Sequence, residues 1–170
     1  RDCDDVDAAA ELAARSATWA SVRAILPRTK SEEDKQRRAD LWKQFDQNGS
    51  GRLSLAEVDA GCRHILKLDG FTSRLSTVLI RAFNRANVVG GSRGDPSFVE
   101  FLEFRLLLCY IYDYFELQVM FDEIDESDDN RVSFAEFEKA LPLIEKWGLR
   151  LDDASAAFAE VDVDHAGMIL

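Results

Sequence analysis

The sequence predicts an all-α protein of four helix–loop–helix motifs in two paired lobes, with the fourth motif truncated at the C-terminus. Three observations predict this fold. Stretches with apolar residues at helical spacing alternate with short polar loops. Two of the loops, which begin at Asp46 and Asp125, share one 12-residue pattern. The distance between them is about twice the distance from Asp125 to a third start at Asp162, so a hidden motif is expected in between.

The helices follow from local signals. The first is predicted from Val6 to Leu26, where Pro27 stops it because proline lacks a backbone N–H. Ser31 is predicted to cap the next helix, since a serine side chain can accept a free N–H of the first turn. Further helices are predicted at 58–66 with an end near 70, at 72–86, from about 99, at 110–124, at 134–147 with a bend at Pro142, and from Asp152 or Asp153 to Val161.

Three segments are predicted along the chain. Residues 1–30 form an N-terminal helical extension, 31–108 a motif pair whose second member is degenerate, and 109–170 a pair whose fourth motif is incomplete. The most apolar stretch, from Phe98 to Phe121, contains several charged residues. It is therefore predicted to form consecutive helices in a soluble core and not a membrane-spanning helix.

The loop from Asp46 to Glu57 has the residue pattern of an EF-hand, which supplies oxygen ligands to calcium from loop positions 1, 3, 5, 7, 9 and 12. Gly51 holds position 6, where a sharp turn favours glycine, and Leu53 holds the strand-pairing position. The alternative is a polar turn between two helices. The predicted ligands are Asp46, Asn48, Ser50, the Arg52 carbonyl, Ser54 and Glu57.

A second loop of the same kind runs from Asp125 to Glu136. Asn130 replaces glycine at position 6, and asparagine tolerates the left-handed conformation better than most residues. Val132 is the strand-pairing residue. A solvated acidic turn is the alternative. The predicted ligands are Asp125, Ser127, Asp129, the Arg131 carbonyl, Ser133 and Glu136.

Two further loops are less complete. Asp162, Asp164 and Gly167 match positions 1, 3 and 6 of a fourth loop, but Ala166 offers no ligand and position 12 lies beyond the sequence, so this site is predicted to be weak. Between Asn84 and Glu103 no register supplies the ligands. That segment is predicted to be a second hand without metal.

Composition excludes several classes of function. The net charge of −11 argues against nucleic-acid binding, which needs basic residues to neutralise phosphates. The acidity fits sites for Ca2+, with Mg2+ as a second candidate, and it also fits solubility alone. The cysteines lack zinc or redox spacing, and Cys62 and Cys109 are predicted to be core residues. No nucleophile–base or phosphate-loop motif is present, so we do not expect an enzyme.

Long runs outside the loops resemble the flagellar calcium-binding proteins of trypanosomatids, the calflagins. This resemblance implies four EF-hands in two lobes and calcium sensing at the flagellar membrane, with N-terminal myristoyl and palmitoyl groups. It also implies metal in the third and fourth hands, which carries over to the ligands from Asp125 to Glu136 and in part to Asp162 and Asp164. The runs are residues 61–68, 71–75, 99–113, 115–117 and 119–122, with similarity also at 25–28 and 35–38.

The N-terminus departs from that family. Myristoylation requires Met-Gly, whereas this sequence starts Arg1-Asp2-Cys3. Cys3 is a candidate for acylation, and a chance surface cysteine is the alternative. Acidic residues nearby would repel an anionic membrane, so membrane contact is implied by the resemblance alone.

The leading functional prediction is a calcium sensor or adaptor. Glu57 and Glu136 would draw their helices toward the ion and alter contact with an unidentified protein or membrane partner. The resemblance places this action in the flagellum, and the cytoplasm is the alternative. A Ca2+/Mg2+ buffer and a constitutive scaffold remain alternative functions. The 11 phenylalanines fit a switchable groove or, as we favour, mostly a core.

Overall fold

The structure is a computed structural model that describes residues 21–70, 72, 74–89, 95–146 and 148–169. Most of the predicted first helix, and Cys3 with it, lies outside the described residues. Its described end is helical over 21–25 and stops before Pro27, as predicted. The predicted core residue Cys62 is fully buried, whereas Cys109 is half-buried.

The described chain is mostly helical, as predicted. Four short strands occur among its described residues, two in each of two small sheets. The helices are α1 (Glu32–Phe45), α2 (Leu55–Ala60), α3 (Leu75–Val89), α4 (Phe101–Ile124), α5 (Phe134–Lys139), α6 (Leu141–Lys146) and α7 (Ala154–Val161), with a π-helical turn at Gly61–Ile65 and a 3-10 turn at Leu68–Gly70. The strands are β1 (Arg52–Ser54), β2 (Phe98–Glu100), β3 (Val132–Ser133) and β4 (Met168–Ile169).

The predicted helix boundaries have visible local causes. The Ser31 side chain accepts the backbone N–H of Asp34 at 3.2 Å and caps α1. In the same way Asp153 caps α7 by accepting the N–H of Ala156 at 3.0 Å. The helix predicted at 134–147 is divided into α5 and α6, because Pro142 cannot donate to the preceding turn.

Helix α4 corrects one expectation. Consecutive helices were expected between residues 98 and 124, but α4 is one helix of 24 residues. No glycine or proline interrupts it, so nothing in the local sequence ends the first helix before the next begins. Among the described residues, no helix combines the length and the apolar character needed to span a membrane.

The chain separates into two compact units, Arg1–Glu116 and Leu117–Leu170, and the division falls inside α4. The core of the first unit contains an aromatic cluster. The Phe104 ring lies edge-on to Trp42 and to Phe45, at centroid distances of 5.2 and 5.6 Å. This cluster packs the start of α4 against the end of α1, directly before the first loop.

Two arginine side chains hold segment 21–30 in place within the first unit. Arg38 of α1 is buried and donates to the carbonyl oxygens of Pro27 and Thr29, at 3.0 and 2.6 Å. The Arg28 guanidinium lies 3.6 Å from the centre of the Tyr112 ring, which is a cation–π contact. Backbone groups that no helix satisfies are thereby hydrogen-bonded.

The second unit has a smaller aromatic core. Phe158 of α7 is buried and lies edge-on to Phe134 and to Phe137 of α5, at 5.3 and 5.5 Å. These contacts hold the helix that follows one loop against the helix that precedes the next.

Candidate metal-binding loops

The backbone of the first loop folds around the carboxylate of Asp46. Its two oxygens accept the N–H groups of Ser50 and Gly51, both at 2.9 Å. This arrangement requires positive φ at loop positions 4 and 6, where Gly49 has 68° and Gly51 has 78°. Glycine adopts these angles without steric cost, which explains why two glycines stand there.

The remaining predicted ligands of this loop are in mutual contact. Asn48 Nδ2 donates to Glu57 Oε1 at 2.6 Å, so the side chains of positions 3 and 12 meet. Ser50 Oγ donates to the Arg52 carbonyl oxygen at 2.7 Å. Ser54 donates to Glu57 Oε2 through both its N–H and its hydroxyl. The Asn48 side-chain oxygen also accepts the Ser50 N–H at 2.8 Å, so hydrogen bonds link all six residues that the sequence predicts.

The third loop repeats this geometry around Asp125. Its carboxylate is buried and accepts the N–H groups of Asp129 at 3.2 Å and of Asn130 at 2.9 Å. Positive φ again occurs at positions 4 and 6, at Asp128 (55°) and Asn130 (66°). Asn130 thus adopts the left-handed conformation that was predicted for it.

Glu136 closes the third loop. Its carboxylate accepts the Ser127 N–H at 3.1 Å and, from Ser133, the N–H at 2.9 Å and the hydroxyl at 2.7 Å. These donors, chiefly those of Ser133, lower the pKa of Glu136 to about 2 because they stabilise the charged form. Ser127 Oγ also contacts Asp125 at 3.2 Å, so positions 1, 3, 9 and 12 are connected.

The fourth loop shares the same first half. Asp162 is buried and accepts the N–H groups of Ala166 at 3.1 Å and Gly167 at 2.9 Å. Strand β4 pairs antiparallel with β3, and Ile169 faces Val132 in the register. Both residues hold the predicted strand position. Asp164 accepts the Ala166 N–H at 3.2 Å, and the described residues bring no further predicted ligand to this loop.

The second loop contains a feature that sequence reasoning missed. Strand β2 pairs with β1, and Val99 faces Leu53, which fixes the register of the loop. Glu103 then holds position 12, and its carboxylate accepts the N–H of Glu100 at position 9, at 3.1 Å. Glu57 and Glu136 accept the N–H of position 9 in their own loops in the same way. The spacing of Val99 and Glu103, which repeats in both predicted loops, was the signal. Pro96 stands at position 5 and has no side-chain oxygen, which agrees with a loop without metal.

The donor sets of the first and third loops fit a hard cation. Carboxylate, amide, hydroxyl and carbonyl oxygens are the ligands that calcium takes, and they occur in the EF-hand order. In the described part of the chain, no three His, Cys, Asp or Glu side chains converge closely enough to hold a metal. The acidic oxygens instead accept hydrogen bonds from loop N–H, amide and hydroxyl groups.

Comparisons with known proteins agree with this geometry. The family model of the FCaBP EF-hand domain matches residues 22–111. The flagellar calcium-binding protein of Trypanosoma cruzi is 47% identical over 154 residues, which cover 89% of this chain and 73% of that protein. Flagellar calcium-binding protein TB-24 of Trypanosoma brucei brucei is 46% identical over 158 residues, with 91% and 72% covered. The chain therefore belongs to the trypanosomatid family of flagellar calcium-binding proteins with EF-hands.

Proposed function

We propose that this chain binds calcium through its first and third loops and acts as a calcium-responsive adaptor. One observation carries the proposal. Each loop-closing glutamate, Glu57 and Glu136, contacts both the start of its own helix and the residue at position 3 of its loop. Movement of this glutamate side chain on metal binding would therefore change the orientation of the helix that follows the loop. The name shared by the relatives supports calcium as the cation.

The route of that change starts at the capping contacts. Glu57 and Ser54 form a capping box at the start of α2, in which each side chain accepts the backbone N–H of the other. Bound calcium supplies a positive charge that competes with the loop donors for these oxygens. When the Glu57 carboxylate turns toward the loop centre, its contact with Ser54 is lost and α2 must shift. Glu136 and Ser133 make the same capping box in α5.

We further propose four EF-hands in two lobes, with the segment boundaries near 30 and 108 that the sequence predicts. The pairing of β1 with β2 and of β3 with β4 supports this arrangement, because paired EF-hand loops share such short strands. The flagellum as location rests on the names of the relatives. Membrane contact and acylation at Cys3 remain predictions, as do the roles of Asp162 and Asp164.

Calorimetric titration with calcium in a magnesium background tests the two sites. Glu57→Gln and Glu136→Gln should each remove one binding event, because the amide loses a charged bidentate ligand. Glu103→Gln is the matched control, since it changes the same position in the second loop, where Pro96 offers no side-chain oxygen, and it should leave both events unchanged. Two binding events retained in either single variant, or no calcium heat from the unaltered chain, would refute the proposal.

A hydrophobic dye separates the adaptor from a buffer and a scaffold. An adaptor exposes apolar surface on calcium binding, whereas a buffer barely opens. We expect dye fluorescence to rise with calcium and to fall back in Glu57→Gln or Glu136→Gln. Binding with unchanged fluorescence would favour the buffer, and loss of helical signal without metal would favour the scaffold.

A further inference from the structure

Lys139 places a positive charge at the edge of the third loop. It is the last residue of α5 and follows Glu136 by three residues, so the two side chains lie on neighbouring positions of one helix face. Its Nζ lies 2.8 Å from Glu126 Oε2, at loop position 2. Both side chains are more than half exposed. The last turn of the helix is thus joined to the first turn of the loop.

Lys139 lies beside the proposed calcium ligands of the third loop. One open cavity of about 460 Å³ is lined by Lys139 and Glu126 together with Ser127, Asp129, Ser133 and Glu136. The Glu126 carboxylate raises the pKa of Lys139, and the charge of Glu136 contributes in the same direction. Lys139 is therefore charged at neutral pH and lies within the electric field of the loop.

From this juxtaposition we propose that Lys139 limits the calcium affinity of the third loop, by holding a fixed positive charge beside its ligands and neutralising Glu126. The inference rests on the proposed calcium binding. A positive charge near a site repels a divalent cation, and the pairing cancels the attraction that Glu126 would otherwise add. Since the pair is exposed, salt should weaken both effects.

The first loop lacks this pair. Gln47 stands where the third loop has Glu126, and Ala60 stands where it has Lys139. Ala60 is exposed at the end of α2, so a lysine fits there without entering the core. The chain thus offers a natural comparison, in which the charge can be removed from one loop and introduced into the other.

The test is a calcium titration by calorimetry of the full chain at low and high salt. In a Glu57→Gln background, which isolates the third loop, Lys139→Met should raise the affinity by about two- to fivefold at low salt. The gain should shrink at high salt. In a Glu136→Gln background, Ala60→Lys should lower the affinity of the first loop by a similar factor.

Lys35→Met is the matched control, because Lys35 is an exposed lysine on α1 that pairs with Glu32. It should leave calcium affinity unchanged, and circular dichroism should show that all variants keep their helical content. Unchanged or weaker binding in Lys139→Met would overturn this inference while calcium binding itself stands. Absence of binding in the Glu57→Gln parent would overturn the inference together with the third site.

Discussion

At the residue scale, position 6 of each loop shows how one backbone angle selects a side chain. Gly51 and Asn130 both adopt positive φ, at 78° and 66°. Most residues lose about 1–2 kcal/mol in this conformation, whereas glycine does not and asparagine loses less. The sequence pattern could therefore predict both positions, because the physical requirement acts on a single residue.

Substitution of Gly51 tests this requirement. Gly51→Ala should reduce the free energy of unfolding by about 1–2 kcal/mol, since a Cβ is strained at this φ although space around it is open. Urea denaturation of the metal-free chain measures the change. Gly70→Ala is the control, because its surroundings are also open and its φ lies outside the positive range. Equal destabilisation by the two changes would contradict the role of backbone angle.

Glu136 also predicts a pH dependence. Its pKa is lowered in the folded chain from an ordinary value of 4.5 to about 2. A depressed folded pKa contributes stability that is present above the ordinary value and is lost as pH falls toward 2. Denaturation of the metal-free chain between about pH 5 and pH 2 should thus show a weaker acid dependence in Glu136→Gln. The exposed neighbour Glu138, changed to Gln, is the comparison, and identical profiles for the two variants would exclude this explanation.

At the scale of elements, the passage from α2 into its π-helical turn depends on close packing. Gly61 begins this turn, and a Cβ built on it would lie 2.5 Å from the ring of Phe45. Phe45 immediately precedes the first ligand of the loop, Asp46. The end of α1 and the turn after α2 can approach this closely only because Gly61 has no side chain.

We expect Gly61→Ala to destabilise the first unit by about 1–3 kcal/mol, the usual cost of overpacking a core. Thermal or urea denaturation measures this loss of unfolding free energy. Phe45→Leu alone should also destabilise, but the double variant should lose less than the sum of the two, because the smaller side chain makes room for the new methyl group. Simple additivity would show that the two residues do not act through this contact.

Two features of the elements could not be predicted from sequence. The continuity of α4 depends on the absence of a break, and an apolar stretch of that length fits one helix or two equally well. The contact of Arg28 with Tyr112 joins residues far apart in sequence, which no local pattern reveals. By contrast, the loops, the Ser31 cap and the break before Pro142 follow from short-range chemistry, and the sequence predicted them.

At the scale of the whole molecule, each compact unit contains one loop with a full set of predicted ligands and one loop without it. The first unit pairs its complete loop with a loop that has Pro96 at a ligand position. The second pairs its complete loop with one that has Ala166 there. We therefore expect calorimetric titration to show one calcium ion bound in each unit.

The strand pair β1–β2 has a consequence for how such a protein changes over generations. Leu53 and Val99 face each other, and the backbone hydrogen bonds between the two strands do not depend on which side chains the loops offer to a metal. A duplicated loop can consequently lose its ligands by mutation while selection still preserves its apolar strand residue. Among homologues we expect Val99 to vary less than Pro96, because the pairing of Val99 with Leu53 supports the first loop whether or not the second loop binds metal.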